Sequence, residues 1–117
     1  MRSKFTTYKK GLFSEFIARM YLRMHGYHIL EKRYITGKNT NRAEIDIIAR
    51  HRDTIVFVEV KNHKTIESAW NSIPPVQASR LRRAAETYLI KKHFSGNARF
   101  DVIVIHGHKI YWAKNAI

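Results

Sequence analysis

Two short apolar runs carry acids at positions where a strand would bury aliphatic side chains. They are Ala43-Glu44-Ile45-Asp46-Ile47-Ile48 and Val56-Phe57-Val58-Glu59-Val60-Lys61. Their richness in Ile, Val and Phe reads as two β-strands, separated by the polar stretch Arg50-His51-Arg52-Asp53-Thr54. An ionised carboxylate is costly to bury unless it is paired or bound to a cation. Three acids and a lysine on one strand pair therefore point to a divalent metal held against a phosphate. The plainer reading is a surface-facing strand edge with a Glu–Lys pair.

Alternation of side chains along a strand puts Glu59 and Lys61 on the face of Phe57, opposite Val56, Val58 and Val60. It likewise puts Glu44 and Asp46 opposite Ile45 and Ile47. A two-residue turn around His51-Arg52 would pair Arg50 with Asp53, Glu44 would then face Glu59, and Asp46 would lie diagonal to it. That turn lacks the Gly or Asn favoured in tight hairpins. A hard cation with oxygen ligands would relieve the repulsion among these acids. Mg²⁺ commonly binds through one or two carboxylates, waters and phosphate oxygens. Lys61 could then orient a water or stabilise charge developing on a phosphate.

A chain of 117 residues, 44% of them hydrophobic, fits one compact domain. No apolar run approaches the ~20 residues that cross a bilayer, and the basic N-terminus lacks a following apolar core. Without cysteine there is no disulfide framework and no thiolate zinc site. The expectation is a soluble cytoplasmic protein. Charge sharpens it: 22 Lys and Arg against nine Asp and Glu give +13, the electrostatic footprint of a nucleic-acid binder with salt-dependent affinity. An acidic membrane is the rival partner, but it would want a basic amphipathic helix with an apolar face to spare. The sequence offers none, so nucleic acid is favoured and a membrane is not.

A first helix is expected from about Lys10 to His25, ending at Gly26. Phe13, Phe16, Ile17, Met20, Tyr21 and Met24 form its apolar stripe, with Glu15 on another side. A first strand follows from Tyr27 to Tyr34. The segment from Thr36 to Arg42 has loop composition and is a candidate flap over a phosphate backbone. Asn62 to Ser72 reads as another loop. A second helix should begin at Pro74-Pro75 and run to about His93 with Leu81, Ala84, Ala85, Tyr88 and Leu89 inward. Gln77 lies near its inward edge, and Arg80, Arg82 and Arg83 suit phosphates, as do Lys10, Arg42 and Lys64. Two closing strands follow, Arg99 to Ile105 and Lys109 to Ala113. None of the seven histidines forms a helical metal pair.

These residues resemble one family. Lys10-Gly11 with Glu15, Ala18 and Leu22, then Gly26-Tyr27, Glu44-Ile45-Asp46, Phe57-Val58-Glu59-Val60-Lys61, Arg99-Phe100-Asp101-Val102 and Asn115-Ala116 are similar, in this order, to the bacterial YraN-like family. That family is placed among the PD-(D/E)XK restriction-endonuclease-like folds, near archaeal Holliday junction resolvases. The resemblance implies an α/β fold with an αβββαβ core, a central mixed sheet flanked by helices. It also implies a Mg²⁺- or Mn²⁺-dependent nuclease, with Asp46 and Glu59 as metal acids and Lys61 as the motif lysine. Glu15 resembles the helix acid that completes such sites, and Gln77 stands where relatives carry a basic residue reaching toward the cleaved phosphate. Ser14 and Ala43 replace glycines of the pattern, and Asn62-His63 replaces a Thr-Arg pair. DNA is the expected substrate, favoured over RNA. The alternatives are a catalytically inactive module binding nucleic acid or a partner, and a homodimer built on Tyr111, Trp112 and Ile117.

Overall fold

A computed structural model describes the backbone of residues 4–37 and 42–116, with side chains from residue 9 onward. Its elements in chain order are α1 (Lys4–Met24), β1 (His28–Thr36), β2 (Ala43–His51), β3 (Thr54–Lys61), α2 (Ile66–Asn71), α3 (Pro75–Lys91), β4 (Asn97–His106) and β5 (Lys109–Ala113). The strands lie side by side in sequence order. Every neighbouring pair is antiparallel except β3 and β4, which are parallel. A parallel pair needs a crossover, and α2 and α3 provide it. The chain is thus α/β, a five-stranded mixed sheet flanked by helices and compatible with the restriction-endonuclease-like core.

Alternate residues of the central strands serve two layers. Val56, Val58, Ile103 and Ile105 pack with Ala18 and Leu22 of α1. On the other face Ile55 and Phe57 meet Leu81, Ala84, Ala85 and Tyr88 of α3, the stripe expected from its spacing. Val102 and Val104 cover Ala69 of α2. Gly26 ends α1 with φ +87°, and the Tyr27 N–H donates to the Leu22 carbonyl at 3.0 Å, as a left-handed glycine cap allows. No helix among the described residues is long and apolar enough to cross a membrane.

Four expectations need correction. The apolar stripe assigned to the inner face of α1 lies mostly outside, so this helix, against expectation, does have an apolar face to spare: Phe13 is 64% exposed, Phe16 49%, Met20 42% and Met24 79%. The inner face is instead Ser14, Glu15, Ala18 and Leu22, whose small members let the helix lie close on the sheet. Hydrophobic spacing alone selected the wrong side because it gives no credit to Ser or Glu. Second, α2 interrupts what reads as a loop; the Thr65 hydroxyl accepts from the Ser68 N–H at 3.0 Å and caps it. Third, the β2–β3 register is two residues further along, pairing Arg50 with Ile55 and His51 with Thr54. The turn is therefore Arg52-Asp53, with Arg52 at φ +57°. Its missing glycine is offset by hydrogen bonds, because Arg50 Nε donates to the Arg52 carbonyl at 2.9 Å and Asn97 N–H to the Asp53 carbonyl at 2.8 Å. Gly96 permits that approach, since a Cβ there would overlap the Asp53 carbonyl and the Phe94 ring. Fourth, Glu44 and Asp46 do not share a face opposite both Ile45 and Ile47, as developed below. Residues 38–41 of the expected flap, and Ile117 of the expected interface, lie outside the described residues.

Asp101, fully buried in β4, ties the far half of the sheet together. Its two oxygens accept from Arg99 Nε (2.9 Å) and Nη2 (3.0 Å), Trp112 Nε1 (2.8 Å) and the Asn115 N–H (2.8 Å). Arg99 Nη2 also donates to the Tyr27 hydroxyl at 3.0 Å. The hydrogen bond to Asp101 pushes the Arg99 guanidinium further up from its already high pKa. Tyr111 and Trp112, considered as an interface, are half-buried in this chain's own packing. Asp101→Asn presents a donor where four donors already converge, and breaking a buried pair costs about 3–5 kcal/mol. Urea unfolding of that variant is expected to show a loss of this size.

Candidate active site

Strand β2 changes face at Asp46. Ala43 and Ile45 pack with the α3 layer, whereas Ile47 and Ala49 pack with the α1 layer, although residues two apart share a face in a regular strand. The pairing with β3 stops at Ile47↔Val58. The pairing with β1 passes from Lys32↔Ile47 to Tyr34↔Ile45, skipping Arg33 and Asp46. Arg33 has φ +49°, uncommon for a residue with a Cβ and the kind of local strain that gathers at functional sites. Beyond this point the Asp46 carboxylate replaces a ladder carbonyl: its Oδ2 accepts from the Val60 N–H at 2.8 Å. The strands part without leaving that donor unpaired.

The gap opens into a cavity of about 640 Å³. Its lining includes Asp46 and Glu44 of β2, Glu59 and Lys61 of β3, Glu15 of α1, Gln77 and Arg80 of α3, and Arg42 before β2. Four of the chain's nine acids thus meet in one cavity. Glu59 is 4% exposed, and its Oε1 is buried with no hydrogen-bond partner. Its Oε2 lies 3.7 Å from Lys61 Nζ. Glu15, also buried, is held differently: Oε1 and Oε2 accept from Arg33 Nε and Nη2 at 2.9 and 3.1 Å. Arg33 Nη1 stands 3.9 Å from Glu44.

These surroundings shift both central acids. Burial pushes Asp46 up to about 7, against the Val60 hydrogen bond and with help from the charge of Glu15. Burial, and next the charge of Asp46, push Glu59 up to about 8. Two interacting carboxyls titrate as a pair, so the metal-free site holds shared protons near neutrality. Among the described residues no three His, Asp or Glu side chains gather into a metal-binding group. The donor set that is present, two carboxylates beside an open cavity with one oxygen unpartnered, fits a cation that takes its other ligands from water and phosphate. Asp46 and Glu59 would hold it.

The remaining positions divide. Arg42 and Arg80 reach this cavity, and Arg82 lines a neighbouring depression. Lys10, Lys64 and Arg83 are exposed away from it. Sequence reasoning missed Arg33, whose signal was that a helix acid facing the sheet requires a cation nearby. It also left unconnected two departures from the family pattern, which meet: Ser14 Oγ donates to Asn62 Oδ1 at 2.6 Å, tying α1 to the residue after Lys61.

The model of the uncharacterised protein family UPF0102 matches residues 14–105. The chain belongs to that family. A UPF0102 protein of Dichelobacter nodosus is 36% identical over 121 residues, covering 97% of this chain and 93% of its own length. One from Aliivibrio fischeri is 35% identical over 124 residues, 100% and 98% of the two chains. One from Paramagnetospirillum magneticum is 35% identical over 99 residues, 83% and 77% of the two. At the family level this agrees with the resemblance drawn from the motifs.

The raised carboxyl pKa values set a pH dependence. The unfolded chain releases these protons near pH 4, whereas the folded site keeps them to about 7 and 8. Between those limits the folded state binds more protons, so in chelator stability falls as pH rises from 5 to 8. The slope approaches about 1.4 kcal/mol per pH unit for each proton retained. Urea midpoints across that range are expected to decline in the wild type and to flatten in Asp46→Asn and Glu59→Gln.

Proposed function

We propose that this protein is a Mg²⁺- or Mn²⁺-dependent nuclease that hydrolyses phosphodiesters in DNA, including branched or damaged DNA. One observation carries the reading: a buried and a half-buried carboxylate, both with raised pKa values, converge beside Lys61 in an arginine-lined cavity of a chain with net charge +13. A dedicated cation site explains why such a chain would bury acids together, where they repel. The cation, when bound by Asp46 and Glu59, supplies Lewis-acid polarisation of the phosphate and a lowered pKa for an attacking water. The protein's own groups do the rest. Lys61 holds its ammonium beside Glu59, where it can orient the nucleophile and meet charge developing on the phosphate. Arg42 and Arg80 bring phosphates to the cavity, and Gln77 offers an amide to the strand. Glu15 acts through Arg33, fixing the cavity wall.

A second reading is favoured by that same Arg33 clasp, which occupies both oxygens of the helix acid that completes such sites in resolvase-like relatives. On it, the chain is a nuclease-fold module that binds nucleic acid without cutting it. The two separate cleanly. With Mn²⁺ and supercoiled, single-stranded or four-way DNA, the wild type is expected to cleave in a chelator-sensitive manner. Asp46→Asn, Glu59→Gln and Lys61→Ala should each lower the rate at least 100-fold, the range of losses when a group stabilising transition-state charge is removed, while DNA binding persists. No cleavage of any of these DNAs, with binding indifferent to chelator and to Asp46→Asn, would establish the second reading.

A further inference from the structure

Across α3 from the cavity the surface offers an exposed aromatic side chain. Trp70, 47% exposed, projects from α2. The turn that carries it is fixed from both ends: Thr65 caps its start, and the Ser72 hydroxyl donates to the Ala69 carbonyl at 2.6 Å. Ala69, fully buried against Val102 and Val104, anchors α2 to the sheet. Trp70 is thus held out from a pinned support. It forms, with Ile73, Pro75, Ala78 and Arg82, a half-open depression of about 120 Å³. That is well below the ~300–1,000 Å³ of a small-molecule pocket. One ring system fits, not a whole ligand.

The start of α3 separates the depression from the acidic cavity. Val76 and Gln77, with the cap residue Pro74, line the cavity, whereas Pro75 and Ala78 on the other flank of the first turns of α3 line the depression. Arg80 serves the cavity and Arg82 the depression. An aromatic ring and a guanidinium lining one depression are the chemistry that stacks a base and meets its phosphate. That placement selects the ligand: a strand with one phosphate at the acids can pass round the start of α3, about 10 Å across, and lay a base a few nucleotides away on Trp70.

We infer that Trp70 and Arg82 form a shelf for one unpaired nucleobase of the strand engaged by the Asp46–Glu59 cavity, an inference that rests on the nucleic-acid reading above. A base stacked inside a duplex has no free face to offer. The shelf therefore assigns the substrate class: single-stranded, flapped or mismatched nucleic acid rather than continuous duplex.

The test uses the full chain in EDTA, so that no cutting intervenes, with a 12-residue single-stranded DNA, the same oligomer without bases, and a blunt duplex. Tryptophan emission and fluorescence anisotropy are read together. Trp112 is half-buried against Tyr21, His25 and Tyr27 and serves as an internal reference. The single strand is expected to quench wild-type emission. Trp70→Phe should lose most of the quench while binding within about threefold of wild type, because a ring still stacks. Trp70→Ala should bind roughly tenfold or more weakly, and the base-free oligomer should erase the difference between it and wild type. Equal affinity of Trp70→Ala and wild type for the single strand, or unchanged emission at saturation, overturns the shelf. The two proposals fail separately. Quenching that persists in a protein unable to cut with Mn²⁺ keeps the shelf and ends the nuclease reading. Cutting that is unaltered in Trp70→Ala on every substrate ends the shelf alone.

Discussion

The bond from the Val60 N–H to the Asp46 carboxylate sits where β2 and β3 part, and the site depends on it. A strand pair that separates inside a domain leaves main-chain donors facing no acceptor, and an unpaired buried donor costs about 1–3 kcal/mol. Here a side chain takes the place of the ladder carbonyl. The acid that permits the strands to diverge is also one of the four that line the resulting cavity. On the other side of β2, Arg33 takes a left-handed conformation at the level of the interruption and sends its guanidinium to Glu15. Local backbone irregularity and the placement of charge are therefore one event.

Charge is distributed in the same spirit. Acids are few, and four of them share one cavity, so the negative potential is concentrated at a point inside a strongly positive chain. In general a strongly positive surface attracts polyanions, whereas a cluster of acids favours cations. Two kinds of buried acid make the contrast visible. Asp101 is saturated by four donors and is structural. Glu59 retains an oxygen with no partner at all. Similar burial with unequal satisfaction separates an acid that holds the fold from one that keeps an oxygen open.

Much of this was legible in the sequence, for identifiable reasons. The two acid-bearing strands, α3 with its Leu81–Tyr88 stripe and the glycine cap at Gly26 all follow from periodicity and turn chemistry. The inner face of α1 did not, because Ser14 and Glu15 find their partners only through tertiary contacts with Asn62 and Arg33. The hairpin register also eluded local rules. Its turn is held by an Arg50 side chain that no turn-residue rule anticipates and by Asn97, 44 residues beyond Asp53. That error left side-chain parity intact, since moving the register by two keeps the same faces together. The face change at Asp46 was the element no alternation rule could contain.

Calorimetric titration of Mn²⁺ into the chelator-stripped protein at pH 7, repeated in two buffers of different ionisation enthalpy, tests the central claim most directly. If Asp46 and Glu59 form a cation site held protonated in the metal-free state, Mn²⁺ binds at one site per chain and releases close to one proton. Glu59→Gln and Asp46→Asn then abolish that binding. Binding of equal strength in both variants, or with no proton released, would contradict the account.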